Sequence, residues 1–287
     1  MPELIDPGQS TWGAHRHDTL GKCFRLYGYS YVEEAPRETT EPQMLGTLVH
    51  LALAHRYMEM QCEQNGEPNP YYAPLEAVTA KTAALAEEGE DWRYLEGRVA
   101  DFFRQYEWEY QTADRGWRVL AIEKELKMRL ADGDDSYLFT QRADLIFRSE
   151  RTGLVYIVDH KTAARASVAR TFEVSLQMVG YQVFGQGFWG DRFGGVLLNM
   201  LQKPKQDGKW QFTRPMLNGS PGMVRAFKAS MLHRRRALAE LEAADIPVSD
   251  WPMAISDSIC WTKYGACPYN QRCHTDSDPV PRGSRIL

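Results

Sequence analysis

An acidic and a basic side chain stand two residues apart where a predicted strand ends. Residues 154–158 are continuously hydrophobic, which predicts a buried strand, and Asp159, His160 and Lys161 follow directly. Because side chains alternate along a strand, Asp159 and Lys161 project to one face and His160 projects to the other. An unpaired charge beside a core strand is costly, so this acid and amine are more typical of a functional site than of a surface ion pair.

A second carboxylate, Asp144, lies among apolar residues on the preceding predicted strand, 137–148. If the two strands pair through the turn at 151–153, Asp144 and Asp159 meet across neighbouring strands. Two carboxylates at close range repel each other unless a cation lies between them. Oxygen ligands of this kind suit Mg²⁺ or Mn²⁺, and a nearby lysine can orient or deprotonate a water molecule for attack on phosphorus.

The spacing of apolar residues predicts the elements that carry these side chains. Helical periodicity occurs over about 42–64, in two stretches within 75–113, and over about 172–188 and 221–244. Alternation predicts strands at 120–130 and 137–148, which form a meander with 154–158, and a hairpin of 195–203 with 210–217. Residues 1–20 show no strong periodicity, and residues 245–273 are expected to be loop-like. The sequence therefore predicts an α/β fold, with a mixed central β-sheet flanked by helices.

Composition limits the class of protein. The chain has 287 residues, of which 43% are hydrophobic and 25% are charged, and this excludes disordered, collagen-like and coiled-coil classes. No apolar run approaches the roughly 18 to 20 residues of a membrane span, and no secretory signal is visible, so we expect a cytoplasmic protein. The net charge of −4 argues against a globally basic nucleic-acid binder but leaves room for a local basic groove. The run at residues 233–236 is a candidate for it, although such a run is more often the solvated face of a helix.

The five cysteines are unevenly placed. Cys260, Cys267 and Cys273 crowd into one short segment near the C-terminus, and Cys23 lies near the other end of the chain. In a reducing compartment, cysteines point to a metal site, to catalysis or to plain burial rather than to disulfides. Cys62 stands alone in a predicted helix and is expected to be a small, semi-buried hydrophobic residue.

Four short motifs come in the order and approximate spacing of a known family. They are Gly46-Thr-Leu-Val-His50, Arg142-Ala-Asp144, Asp159-His-Lys161-Thr162 and Gln177-Met-Val-Gly-Tyr181. Together they resemble the RecB-like branch of the PD-(D/E)XK nucleases. By itself a helical histidine is usually structural, so only this resemblance gives His50 a role, whereas His55 keeps the structural interpretation.

The resemblance implies a metal-dependent DNA nuclease. The implied ligands of Mn²⁺ or Mg²⁺ are His50, Asp144, Asp159 and the backbone carbonyl of His160. Lys161 would position the attacking water, while Gln177 and Tyr181, which share one helix face, would hold the substrate strand or support the site. The implied organisation is one restriction-endonuclease-like domain with a helical insertion at about 66–113, a core at about 114–217 and a cysteine region at about 218–275.

The cysteines extend the resemblance to both ends of the chain. Cys23 with the three C-terminal cysteines resembles the iron–sulfur staple of AddB and of the CRISPR-associated exonucleases. The resemblance therefore implies a 4Fe–4S cluster on Cys23, Cys260, Cys267 and Cys273. The residues alone leave open a Zn²⁺ site made by the three C-terminal cysteines and His274, which would not need Cys23.

The implied substrate is DNA, single-stranded or with free ends, processed by an exonuclease in recombination, repair, phage DNA processing or CRISPR adaptation. A second copy of the chain, or a protein of recombination or CRISPR adaptation, is a further candidate partner, and no membrane is expected. A different class of function is a non-catalytic DNA-binding or adaptor subunit with a structural zinc or iron–sulfur site. Loss of a catalytic residue would favour that class, and the four motifs contain every one of them.

Overall fold

The computed structural model describes residues 2–5, 10, 12–35, 39–133, 135–163, 169–204, 208–217, 219–262 and 265–275. The chain divides into two compact units. The first, which we call the sheet unit, comprises Met1–Thr11, Thr39–Met128 and Phe139–Phe227. The second, the cysteine unit, comprises Trp12–Glu38, Arg129–Leu138 and Lys228–Leu287.

The elements are numbered in chain order. The α-helices are α1 (Ala14–Lys22), α2 (Phe24–Tyr31), α3 (Glu41–Asn65), α4 (Pro74–Glu87), α5 (Glu96–Tyr110), α6 (Ala169–Phe172), α7 (Leu176–Trp189), α8 (Pro221–Ala243), α9 (Asp257–Cys260) and α10 (Asn270–Thr275). The strands are β1 (Trp117–Asp132), β2 (Asp135–Ser149), β3 (Val155–Ala163), β4 (Phe193–Gln202), β5 (Gln211–Thr213), β6 (Met216–Leu217), β7 (Trp261–Thr262) and β8 (Gly265–Ala266). No helix among the described residues is long and apolar enough to cross a membrane.

The central sheet is mixed. Its strand order is β1-β2-β3-β4-β5, with β6 also pairing with β4. Strands β2 and β3 are antiparallel, whereas β3 and β4 are parallel and connected through α7. The predicted α/β fold with a mixed central sheet flanked by helices is therefore confirmed, as is the β1-β2-β3 meander.

Helix α3 packs against the sheet and fixes the position of one side of the site. Its buried residues Leu45, Leu48 and Val49 belong to the same core cluster as Leu145 of β2 and Val158 of β3. The helix begins after Thr40, whose backbone N–H donates to the Gln43 side chain at 2.9 Å, and it ends at Gly66, whose φ of 69° suits a glycine. The capping interaction of Thr40 and the left-handed Gly66 therefore mark the start and the end of the long helix that the periodicity predicts.

Three expectations from the sequence were wrong in detail. Residues 1–20 show no strong periodicity in sequence, yet part of this segment lies in α1 (Ala14–Lys22). The buried face of α1 holds His17 between Ala14 and Leu20, so a hydropathy pattern misses the helix. The strand expected at 210–217 is split into β5 and β6 at Pro215, which has no N–H to donate to a neighbouring strand. Residues 245–273 are not all loop, because they contain α9, the hairpin β7-β8 and most of α10.

Candidate active site

The paired acid and amine lie at the carboxyl end of β3. Lys161 Nζ is 2.7 Å from Asp159 Oδ2; Asp159 is fully buried, whereas about a quarter of the Lys161 side chain is exposed. Burial raises the pKa of Asp159 to about 6, with Lys161 opposing the shift and Asp144 adding to it. Burial alone would lower the pKa of Lys161, but the two carboxylates outweigh it and the net pKa is raised. Lys161 is therefore an ammonium group at neutral pH, able to donate hydrogen bonds.

Asp144 reaches the same place from the neighbouring strand β2. Leu145 lies opposite Val158 in the antiparallel register, so Asp144 is carried to the level of Asp159. Its Oδ2 accepts a hydrogen bond from the backbone N–H of His160 at 2.7 Å. The structure thus brings Asp144 and Asp159 together across neighbouring strands, as the sequence predicts.

His50 comes to the site from helix α3. Its Nδ1 is 3.4 Å from Asp144 Oδ2, and its ring packs edge-on against the ring of His160 with centroids 5.8 Å apart. Gly46, one turn earlier, allows this approach, since a Cβ there would lie 3.2 Å from Thr162 Oγ1. A residue without a side chain at position 46 therefore suits the close packing of α3 against β3.

The Tyr181 hydroxyl lies at the site, and Gln177 is linked to the site by its hydrogen bond to that hydroxyl. The Tyr181 hydroxyl lies 2.6 Å from the backbone carbonyl of Arg142 and 3.1 Å from Asp159 Oδ1, so it can donate to either oxygen. Gln177 Nε2 donates to the same hydroxyl at 3.2 Å. Burial raises the pKa of Tyr181 well above its usual range, and Asp159 adds to the shift, so the hydroxyl stays protonated. In this arrangement the two residues hold Asp159 and β2 in place.

Glu123 of β1 also lies at the site, and the sequence reasoning did not identify it. One ligand atom from each of His50, Glu123 and Asp144 lies within 4.8 Å of the others. Glu123 has a φ of 47°, and its backbone carbonyl accepts a hydrogen bond from Arg142 Nη1 at 2.8 Å. In sequence, Glu123 belongs with Glu125 and Lys127 to the polar residues that alternate with apolar ones, and its residue type alone does not distinguish it from them.

The side chain of His160 lies on the other face of β3, as alternation predicts. Asn199 Nδ2 of β4 lies 2.7 Å from His160 Nδ1 and 2.8 Å from the Tyr106 hydroxyl. The His160 ring also stacks on Tyr57, with centroids 5.9 Å apart. Burial lowers the pKa of His160 well below its usual range, so the ring is neutral. Because the amide nitrogen donates to Nδ1, the ring carries its proton on Nε2.

A buried cluster of charged residues is hydrogen-bonded to the residues around the His160 ring. The Asp114 carboxylate is 1% exposed; it accepts hydrogen bonds from Arg56 Nη1 at 2.8 Å and from the Tyr57 hydroxyl at 3.0 Å, and it also pairs with Arg214. Arg214 Nε in turn donates to Asn199 Oδ1 at 3.2 Å. A continuous hydrogen-bonded path therefore leads from Asp114 through Arg214 and Asn199 to the His160 ring.

In the cysteine unit, four cysteines line one pocket. They are Cys23, Cys260, Cys267 and Cys273, and His274 lines the same pocket. Cys260 and Cys267 flank the β7-β8 hairpin, where the Cys267 N–H donates to the Cys260 carbonyl at 2.8 Å. The residues that line this pocket therefore include all four cysteines proposed to bind an iron–sulfur cluster. They also include all four ligands of the alternative zinc site.

Cys23 lies between two helices of the cysteine unit, whereas Cys62 lies in the core of the sheet unit. Cys23 stands between α1 and α2, and its Sγ accepts from the backbone N–H groups of Leu26 at 3.5 Å and Ala254 at 3.4 Å. Cys62 is buried in helix α3 of the sheet unit, in agreement with a packing role.

Comparison with known proteins gives one family match. A profile of the PD-(D/E)XK nuclease superfamily matches residues 11–274. Sixteen chains of solved structures match; one, described as "Crystal structure of SSO0001", is 15% identical, with 75% of this chain and 91% of that chain covered and a TM-score of 0.29. Comparison with curated proteins gave no match.

Proposed function

We propose that this chain, which belongs to the PD-(D/E)XK nuclease superfamily, is a metal-dependent deoxyribonuclease that acts on single strands or DNA ends. Members of the superfamily are nucleases that use divalent metals such as Mg²⁺ or Mn²⁺. The observation that carries the proposal is the convergence of the four sequence motifs on Asp159 and Asp144. An exonuclease of the RecB/AddB-like branch, acting in recombination, repair, phage DNA processing or CRISPR adaptation, is the finer form of the proposal.

The residues at the site fit a divalent cation. Partly exposed carboxylates and one imidazole nitrogen lie within 4.8 Å of one another, which is a donor set suited to Mn²⁺ or Mg²⁺. We propose that His50, Asp144, Asp159 and the backbone carbonyl of His160 contribute to holding it. Such a cation, when bound, supplies a Lewis acid that stabilises negative charge on a phosphate group.

The protein's own groups prepare the site for hydrolysis. Asp159 keeps Lys161 protonated and holds its ammonium group 2.7 Å from a buried carboxylate oxygen. The exposed part of Lys161 can then donate hydrogen bonds to a water molecule or to a phosphate oxygen. The Tyr181 hydroxyl lies 3.1 Å from the other oxygen of Asp159, and the N–H of His160 donates to Asp144. These contacts hold the acidic groups in place before substrate arrives.

An aromatic ring beside Lys161 supports a single-stranded substrate. The Phe172 ring centroid lies 6.0 Å from Lys161 Nζ, and the ring is partly exposed. A base that is not paired in a duplex can stack on such a ring, and stacking contributes about 1–3 kcal/mol per base. A nucleotide held in this way would present its phosphate to the ammonium group.

The test is cleavage of end-labelled DNA. Purified protein would be incubated with single-stranded DNA, blunt duplex and circular DNA, each with Mn²⁺, Mg²⁺ or EDTA. We expect metal-dependent cleavage that needs a free end and is fastest on single strands. Binding without cleavage under every metal condition would favour the adaptor alternative, and cleavage of circular DNA at the same rate would contradict the exonuclease form.

We further propose that the cysteine unit holds a 4Fe–4S cluster through Cys23, Cys260, Cys267 and Cys273. The support is that cysteines from both ends of the chain line one pocket. The expected outcome of anaerobic purification is brown protein with about four irons per chain. Cys23→Ala should lose the iron, whereas Cys62→Ala should keep it. One zinc per chain that survives in Cys23→Ala would instead support the site of three cysteines and His274.

A further inference from the structure

Three side chains that could ligate a metal come from three different elements and lie together at one partly exposed place. His50 comes from α3, Glu123 from β1 and Asp144 from β2, and one ligand atom of each lies within 4.8 Å of the others. A solvated cation can reach all three. Asp159 differs, because it is fully buried, with one oxygen on Lys161 and the other 3.1 Å from the Tyr181 hydroxyl.

The backbone at Glu123 interrupts the regular alternation of β1. A φ of 47° is a left-handed conformation that L-residues rarely adopt, least of all within a strand. Residues of this kind persist where surrounding contacts hold them, and they are frequent at functional sites. This unusual backbone belongs to the residue of β1 whose ligand atom lies with those of His50 and Asp144.

Arg142 connects this irregularity to the rest of the site. Its Nη1 donates to the Glu123 carbonyl at 2.8 Å, and its own carbonyl lies 2.6 Å from the Tyr181 hydroxyl. Asp144 follows two residues later on the same strand. One arginine therefore ties the backbone of Glu123 to the strand that carries Asp144.

We infer that Glu123 is a metal ligand of this site, together with His50 and Asp144, and that Arg142 is a positioning residue for it. The inference rests on the proposed function, since the cation is the one that the nuclease would use. It changes the ligand set: a third carboxylate, from a strand that carries none of the four motifs, completes a partly exposed group while Asp159 stays buried beside Lys161.

The experiment measures binding of Mn²⁺ alone, by calorimetry on the metal-free full-length protein. Glu123→Gln keeps the size of the side chain but removes its charge, and we expect Mn²⁺ affinity to fall at least tenfold. Glu125→Gln is the matched control, because Glu125 lies on the same strand and pairs with Lys127 at 3.0 Å. A Glu123→Gln protein whose affinity falls no more than that of the control would overturn the inference.

The variant Glu123→Gly distinguishes the loss of a metal ligand from a defect in folding. Glycine adopts the left-handed backbone without strain, so this variant should melt at or above the parent temperature while it binds Mn²⁺ at least tenfold more weakly. Parental affinity in this variant would also overturn the inference. For Arg142, the Gln variant should bind Mn²⁺ several-fold more weakly, and Arg142→Lys, which can still donate, should recover part of the loss. Equal affinity in the Gln variant would remove Arg142 from the proposal.

The inference and the proposed function fail in different ways. If the parent protein cleaves DNA with Mn²⁺ but Glu123→Gln binds the ion normally, the nuclease assignment stands and Glu123 is not a ligand. If the parent cleaves no DNA, the calorimetry of the Gln and Gly variants still decides whether Glu123 binds the cation.

Discussion

Replacing Asp159 by Asn should stabilise the protein at neutral pH while it abolishes cleavage. The pKa of this carboxyl is about 6 in the folded protein, against 3.8 as its ordinary value. A raised pKa in the folded state means that folding favours the protonated acid, so this stability is fully present below pH 3.8 and is lost as the pH rises through 6. This difference in pKa corresponds to about 3 kcal/mol of destabilisation once the group is ionised.

Asn resembles the protonated acid in shape and charge, so the substitution removes the destabilisation that comes from ionising this buried carboxyl. In metal-free buffer with EDTA, urea unfolding should show Asp159→Asn more stable than the parent by up to about 3 kcal/mol at pH 7–8. The gap should shrink to a few tenths of a kcal/mol at about pH 4, where the parent also carries a neutral acid. Asp101→Asn removes an exposed acid paired with Arg104, so its effect should stay within about 1 kcal/mol at every pH. An Asp159→Asn protein that unfolds more easily than the parent at pH 8, or a gap that does not change with pH, would refute the reasoning.

Lys161→Ala should abolish metal-dependent cleavage of end-labelled DNA, because it removes the ammonium donor, while the Mn²⁺ affinity measured by calorimetry stays measurable; cleavage at the parent rate would remove Lys161 from the mechanism. Asn199→Leu should lower the free energy of unfolding by about 1–3 kcal/mol, since Arg214, Tyr106 and His160 each lose a buried hydrogen-bond partner; an unchanged urea midpoint would show that the buried path contributes nothing to stability.

The sequence predicts those parts of the site that depend on local periodicity. Alternation along β3 separates Asp159 and Lys161 from His160, and the short turn before β3 predicts the pairing that brings Asp144 near. Helical spacing likewise places Gln177 and Tyr181 on one face. Each of these inferences uses residues that are close in the chain, and the structure agrees with all of them.

The parts that the sequence does not predict depend on a single backbone angle or on long-range pairs. Glu123 lies at the site and has a positive φ, and its residue type indicates neither. Asp114 and Arg214 are far apart in the chain, and each resembles an ordinary surface charge until the fold buries them together. Pro215 was visible in the sequence, but the strand pattern around it concealed the break between β5 and β6.

The cysteine pocket has a consequence for the entropy of the unfolded chain. Cys23 and Cys260 are separated by roughly 240 residues, and the segments Thr39–Met128 and Phe139–Phe227 of the sheet unit lie between them in sequence. A group bound to both cysteines would close nearly the whole nuclease into one loop. A covalent cross-link that closes a loop of that length lowers the conformational entropy of the unfolded chain, which stabilises the folded state by about 5 kcal/mol. Oxidative loss of such a group would therefore make unfolding of the sheet unit easier, although none of its own contacts had changed.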